Sequence, residues 1–174
     1  MCELSGMVKR LGFTHFWIAI AAGSSAAGSL IAFSDHGSVQ SADWSFLWAI
    51  SACTGWVYTF QRWMKSTRKP EQMPASRLEF MQKQGGRLGV FWTLLSIWAT
   101  LQWLFAAGIP FAPQLATQWP LFLLAAVMSI GYAFNPIGSG RGWRERPHLK
   151  LPAIALSWTL ATVIFPASHL GITW

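Results

Sequence analysis

The side chains best able to do chemistry are basic, and they gather in two polar stretches of an otherwise apolar sequence. The first stretch, 62–87, holds seven of the thirteen Lys and Arg residues, and the second, 135–150, holds four. Arginine binds phosphate through a planar fork of N–H donors, and the glycines at 138, 140 and 142 leave backbone amides free to approach an anion. Binding of an anionic head group is one interpretation of these stretches. The other is that their charge only orients the chain in a membrane.

Acidic and metal-binding side chains form no comparable group in the sequence. The six acids are too scattered for a carboxylate pair, and the four histidines lack the spacing of metal ligands. The two cysteines, Cys2 and Cys53, form no motif. We therefore expect no metal site and no cofactor in this chain.

The composition places the chain in a membrane. It is 53% hydrophobic and 11% charged, against roughly 25% charged in soluble domains. Twelve tryptophans fit the same class, because Trp is enriched where a helix meets the lipid head groups. The basic net charge does not predict a nucleic-acid partner, since apolar runs of membrane-spanning length separate the basic stretches.

The apolar runs predict an all-α, polytopic membrane helix bundle that forms a single domain, 1–174. The five predicted spans are 13–33, 44–60, 88–108, 115–134 and 151–165. No Asp, Glu, Lys or Arg lies inside a span, which argues against a pump, an ion-coupled transporter or a voltage sensor. Pro152 is predicted at the start of the fifth helix, and Pro166 is predicted to kink or end it.

Charge sets the predicted orientation. Every Lys and Arg falls in the N-terminal segment or in the two basic stretches, and none falls in the other connections. Since basic loops stay on the cytoplasmic side, the N-terminus is predicted inside, the C-terminus outside, and the membrane is predicted to be a bacterial inner membrane.

The first basic stretch is predicted to be a loop with a short helix in it. Pro70 and Pro74 bracket a turn, Ser76 begins a capping-box pattern, and Gly85-Gly86 would stop a helix. We therefore expect a surface helix over 77–84 that rests on the membrane.

Three local patterns predict packing. Ala21, Ser25 and Ser29 recur every four residues and predict a small-residue helix contact. Trp44, Trp48, Trp56 and Phe60 share one helix face, which would contact lipid or other helices, or alternatively form an aromatic wall for an isoprenoid or pigment tail. His15 is predicted to lie at the head groups or to be hydrogen-bonded, rather than to act as a ligand.

The sequence also resembles a known family. The segment from Gly131-Tyr-Ala-Phe-Asn-Pro through Arg144-Glu-Arg-Pro-His-Leu-Lys150, continued by Leu-Pro-Ala-Ile-Ala-Leu-Ser-Trp to Pro166, is similar to the junction of helices four and five in UbiA-superfamily intramembrane prenyltransferases. It most resembles UbiA-like proteins of the Bacteroidetes type. Val57-Tyr-Thr-Phe-Gln-Arg62 resembles the end of helix two in the same group.

The resemblance implies a groove for an isoprenoid or lipid, with its diphosphate or head group at the cytoplasmic face. The residues that it implies for substrate binding are Tyr58, Gln61, Arg62, Tyr132, Arg141, Arg144 and Lys150. Working members of the family hold Mg²⁺ and an allylic diphosphate with two Asp-rich motifs. Around Tyr58–Lys69, where the first motif would fall, this sequence has no carboxylate, and no second motif follows. Because Mg²⁺ needs oxygen ligands, prenyl transfer by this chain alone is not expected.

Two functions remain open from the sequence. The chain is either a UbiA-like membrane protein that binds an isoprenoid or anionic lipid, or a non-catalytic accessory subunit whose Trp-rich and small-residue faces pack against partner subunits or pigments. Membrane lipids are expected partners in both cases.

Overall fold

The computed structural model describes residues 15–35, 37–39, 43–106, 120–121, 123–128, 131 and 147–172. Every regular element in these ranges is helical, as the sequence predicts. The elements are α1 (Phe16–Phe33), α2 (Asp43–Arg68), a 3₁₀ turn (Pro70–Gln72), α3 (Ala75–Ala106), α4 (Pro147–Thr159), a π-helical turn (Leu160–Ile164) and α5 (Phe165–His169). Residues 120–121 and 123–128 are also helical.

Three helical segments are long and apolar enough to cross a bilayer, which indicates an integral membrane protein. They are Phe16–Phe33, Ala75–Ala106 and His148–His169. The predicted span 44–60 lies within α2, which is helical but is not one of these three. The predicted span 115–134 lies largely outside the described residues. The five-span topology and its orientation therefore stay predictions.

The first basic stretch is helical rather than a loop. Helix α2 continues to Arg68, and α3 begins at Ala75 and runs unbroken through Gly85 and Gly86. The predicted separate surface helix over 77–84 was therefore wrong, because these residues lie within α3. At 1.5 Å per residue, the 32 residues of α3 extend about 48 Å. A bilayer core of about 30 Å accommodates about 20 residues of a helix, so α3 is longer than a single span requires.

The described residues fall into two compact units. One comprises Met1–Gly23 and Ser45–Trp103, and the other comprises Ser24–Trp44 and Leu104–Trp174. Each is described separately below.

In the first unit, α2 and α3 form an antiparallel pair joined by a short turn. Contacts between them run in opposite directions along the two helices: Trp63 with Gly85, Trp56 with Thr93, and Phe46 with Trp103. The start of α1 joins the same unit, since the Phe16 ring lies 5.1 Å from the Trp92 ring. The result is a three-helix unit with its connecting turn at residues 69–74.

Two tryptophans pack at the α2–α3 contact, each against a glycine of the opposite helix. The indole of Trp92 on α3 covers Gly55 on α2, and the indole of Trp63 on α2 covers Gly85 on α3. The absence of a side chain lets each bulky ring approach the facing backbone, the mode of close contact typical of membrane helices. Gly85 therefore serves packing and does not end a helix.

The buried residues of α3 are spaced four or seven residues apart and so share one face of the helix. They are Met81, Gly85, Trp92, Ala99 and Trp103. This spacing is that of a helix seam in a left-handed pair. Exposed apolar side chains fill the opposite face, as expected of a helix that contacts lipid. They are Val90, Leu94, Ile97, Trp98, Leu101 and Phe105.

Helix α1 buries a different face from the one predicted. Ala21 and Ser25 are exposed and Ser29 is half-buried. The buried small side chains are instead Ala19, Ala22 and Ala26, followed by Leu30. The contact still depends on small residues, but the predicted stripe lies about 100° away around the helix.

On α2, Trp48 is exposed, whereas Trp56 and Phe60 stack on each other with ring planes 10° apart. Trp56 also donates its indole N–H to Thr93 Oγ1 at 2.9 Å. Trp56 therefore contacts α3 although it is partly exposed, whereas Trp44 and Trp48 are more exposed. An aromatic wall for a prenyl or pigment tail stays a prediction.

In the second unit, Met128, Ala153 and Leu160 form a small core with Leu121, Ile164 and Phe165 around it. Helix α4 begins at Pro147, so the predicted start at 151 was late and Pro152 lies inside the helix. The helix does not end at Pro166 but passes through the π turn just before it. Proline lacks the N–H that an α-helical turn would use there, and a π turn is a known local adjustment to such an interruption.

Candidate head-group site

The connecting end of the first unit is dense in positive charge. Arg62, Lys65 and Arg68 lie in the last two turns of α2, Lys69 follows, and Arg77 lies in the first turn of α3. Cations at the C-terminal end of α2 are favoured there by the helix dipole. The two helices thus bring charges that are up to fifteen residues apart in sequence to one end of the unit.

The turn between the helices is held by backbone hydrogen bonds. Gln72 N–H donates to Lys69 O at 3.1 Å, and Met73 N–H donates to Pro70 O at 3.0 Å. Arg77 N–H donates to Pro74 O at 3.0 Å and so starts α3. Met73 is buried beneath the turn. Because six residues separate the two helices, Arg62 and Arg77 are fixed on rigid elements rather than on a flexible loop.

His15 is one of the buried polar residues at this end. It is 6% exposed and lies just ahead of α1, with Nδ1 3.1 Å from Oγ1 of the fully buried Thr59. Its ring centroid is 6.4 Å from that of Tyr58. The prediction that His15 is hydrogen-bonded is confirmed.

Burial and two nearby arginines set the pKa of His15. Burial is the largest cause, followed by the positive charges of Arg62 and Arg77. Together they lower the pKa of His15 from 6.5 to about 4. The imidazole is therefore neutral at neutral pH. Both of these charges are positive, so this small region presents a positive potential to any group that enters it.

Lys83 contributes less to this end than its charge suggests. Its Nζ lies 2.7 Å from Glu79 Oε1, one turn away on α3, and both side chains are largely exposed. An exposed pair of this kind contributes little to stability, because water and salt screen the attraction between the charges. It mainly offsets the charge of Lys83, so the net positive charge is concentrated toward Arg62 and Arg77.

The predicted substrate-binding residues divide between the two units. Tyr58, Gln61 and Arg62 lie half-buried in the last three turns of α2, and the structure places Tyr58 and Arg62 beside His15. Lys150 is exposed on α4 in the second unit. Tyr132, Arg141 and Arg144 lie outside the described residues, and so does most of the 135–150 stretch.

Three residues of this arrangement were absent from the predicted set: His15, Thr59 and Arg77. His15 was noticed at the end of the first apolar run, but the sequence gave no reason to connect it with residues 44 or more positions away. Arg77 was assigned to a surface helix. The sequence alone does not show that His15, Thr59 and Arg77 come together in the folded chain.

A second polar pair lies in the second unit. His169 Nε2 is 3.0 Å from Asp43 Oδ1, and both side chains are largely buried. Asp43 is in the first turn of α2, where the helix dipole favours a negative charge. Among the described residues, no group of three or more His, Cys, Asp or Glu side chains could hold a metal ion.

Comparison with protein-family models, with curated proteins and with solved structures finds no match.

Proposed function

We propose that this chain is a UbiA-like integral membrane protein that binds an anionic head group, from a phospholipid or an isoprenyl diphosphate, at the cytoplasmic end of α2 and α3. One observation carries the proposal. Arg62 near the end of α2 and Arg77 in the first turn of α3 flank one six-residue turn, and the positive charges of both lower the pKa of the buried His15.

The chemistry of these residues favours phosphate. Guanidinium groups offer paired donors that match the oxygens of a phosphate or diphosphate. Their anchoring in helices flanking a six-residue turn limits the entropy lost on binding. The half-buried Tyr58 and Gln61 supply further hydrogen-bonding groups on the same stretch of α2.

The position of the cluster also suits a head group. The apolar part of α3 begins near Leu88, after Arg87. Residues 62–77 would therefore lie beyond the hydrocarbon core, at the level of the phosphates. Basic clusters at this level attract anionic lipids of the inner leaflet. Prenyl transfer is not part of the proposal, because the sequence around Tyr58–Lys69 supplies no carboxylate for Mg²⁺.

The alternative function is that of an accessory subunit. The exposed apolar face of α3, from Val90 to Phe105, is the observation that favours it. Such a face fits a partner helix as well as it fits lipid tails. A second polypeptide bound through this face would be displaced by substitution of Leu94 or Ile97 with Trp, with no change in head-group binding.

The test of the proposed function is a conservative substitution. Arg62→Lys keeps the charge but loses the planar fork, whereas Arg87→Lys makes the same change at an exposed position on α3. Short-chain phosphatidylglycerol and farnesyl diphosphate would be titrated separately into each detergent-solubilised variant and followed by native mass spectrometry. Phosphatidylcholine serves as the zwitterionic reference.

We expect Arg62→Lys to weaken binding about fivefold or more, corresponding to about 1 kcal/mol for one lost charge-assisted hydrogen bond. Arg87→Lys should bind as the wild type does. Tighter binding of farnesyl diphosphate than of phosphatidylglycerol would identify an isoprenoid as the ligand, and the reverse would identify a phospholipid. No preference of the folded wild type for either anion over phosphatidylcholine would refute the proposal.

A further inference from the structure

His15 has an uncommon backbone conformation. Its φ is 64°, in the left-handed region, which few residues other than glycine adopt, although His is among those that do. Such a conformation persists when the surrounding contacts determine it. Here those contacts are the hydrogen bond with Thr59 and the nearby ring of Tyr58.

Three separate elements meet at this residue. His15 precedes α1, Arg62 lies on α2 and Arg77 lies on α3. Among the described residues, Tyr58 and Arg62 on α2 and Arg77 on α3 are the titratable or charged groups that lie near His15 or act on it electrostatically.

We propose that His15 is a third contact of the head-group site and takes up a proton from solvent when an anion binds beside Arg62 and Arg77. This inference rests on the proposed function and adds its pH regulation. Without the anion, two positive neighbours and burial keep the imidazole neutral. A phosphate between the guanidinium groups offsets their charge and makes a protonated imidazole favourable.

The hydrogen bonds of the ring are compatible with this change. In the protonated ring both nitrogens are donors. Nδ1–H then donates to Thr59 Oγ1, which lies 3.1 Å away. Nε2–H is left to donate to an oxygen of the head group. At most one proton is bound for each anion bound, and no covalent bond changes.

Linkage gives the direction of the pH effect. If the bound anion returns the pKa of His15 from about 4 to its ordinary value of 6.5, the complex binds more protons than the free protein at pH values between these limits. Binding therefore tightens as the pH falls. From pH 7.5 to pH 5.5 the dissociation constant is expected to fall about tenfold, the effect of one proton with these pKa values.

The experiment measures binding of short-chain phosphatidylglycerol to the full chain in detergent at pH 7.5, 6.5 and 5.5. This lipid is chosen because its phosphodiester does not itself titrate in the range, unlike a diphosphate. His15→Gln removes the titrating group while retaining hydrogen-bonding capacity. His148→Gln is the matched control at an exposed histidine on α4.

We expect the wild type and His148→Gln to bind about tenfold more tightly at pH 5.5 than at pH 7.5, and His15→Gln to bind with constant affinity. A pH response that survives in His15→Gln would overturn the inference. Binding by the wild type with no pH response would overturn it and leave the proposed function intact. Absence of anion binding at every pH would overturn both.

A second measurement covers the case in which His15→Gln does not fold. NMR of imidazole-labelled wild-type protein would follow the titration of His15 with and without phosphatidylglycerol. We expect the pKa of His15 to rise from about 4 to near its ordinary value of 6.5. An unchanged pKa in the lipid-saturated protein would overturn the inference.

Discussion

Substitution of Gly55 by alanine tests the packing that positions the candidate site. A Cβ atom at Gly55 would overlap three atoms of the Trp92 ring. That ring cannot easily move, because Trp92 is 2% exposed and the Phe16 ring packs against it at 5.1 Å. Relief would require α2 and α3 to separate, which would also disturb the placement of Arg62 and Arg77.

The chain supplies its own controls for this change. A Cβ atom at Gly86 or Gly89, both on α3, would meet no atom within 4 Å. Alanine at those positions should be neutral or stabilise the helix by up to about 1 kcal/mol. At Gly85 a Cβ atom would lie 3.1 Å from Trp63 Cδ1, but Trp63 is 43% exposed and can shift. Gly85→Ala should therefore differ little from the controls.

Overpacking a close-packed contact costs about 1–3 kcal/mol. Relative to Gly89→Ala, we expect Gly55→Ala to lower the free energy of unfolding by about this amount. Unfolding in mixed micelles of mild detergent and dodecyl sulfate would measure the difference. Adding Trp92→Leu to Gly55→Ala should recover part of the loss, and a double-mutant cycle would give the coupling. Equal stability of the Gly55 and Gly89 variants would refute the Trp92–Gly55 contact.

Two other predictions concern the polar pairs. Between pH 6.5 and pH 4, His15 is protonated in the unfolded chain but not in the folded chain. Its contribution to stability should therefore be fully present above pH 6.5, and the free energy of unfolding should fall by up to about 3 kcal/mol as the pH approaches 4. Unfolding of the ligand-free wild type at several pH values would measure this fall, and an equal fall in His15→Gln would contradict its assignment to His15. Asp43→Ala should destabilise the fold by about 1–3 kcal/mol, because His169 Nε2 loses its largely buried partner at 3.0 Å. Asp43→Asn retains an acceptor oxygen and should cost less. Thermal unfolding in detergent would compare the two variants, and wild-type stability of Asp43→Ala would contradict a structural role for the pair.

The helical class was predictable because long apolar runs leave no other way to satisfy backbone hydrogen bonds in lipid. Helix boundaries were less predictable, and Gly85-Gly86 shows why. Two glycines after a polar segment are a typical helix end in a soluble protein. Here Gly85 instead admits the Trp63 ring, a requirement that depends on the partner helix and cannot be seen along one chain segment.

The candidate site was predictable only in part, for a related reason. Tyr58 and Arg62 were assigned from a local resemblance and lie together on one helix. The approach of His15 and Arg77 depends on how three elements pack. A lone histidine at the end of an apolar run is more often a structural residue than a ligand. Only the tertiary contacts give it two charged neighbours.

The central claim is that anionic head groups bind at one end of α2. The 26 residues of α2 extend about 39 Å, so adducts at its two ends can be told apart by position. The decisive measurement is photo-crosslinking of the reconstituted wild type with an anionic lipid that carries a diazirine in its head group. Mass spectrometry of the digested protein would locate the adducts.

We predict adducts within 58–62 and near Arg77, reduced by Arg62→Gln, and none of comparable yield around Trp44 and Trp48 at the other end of the helix. Adducts of equal yield at both ends of α2, or adducts at 58–62 that are insensitive to Arg62→Gln, would contradict the site.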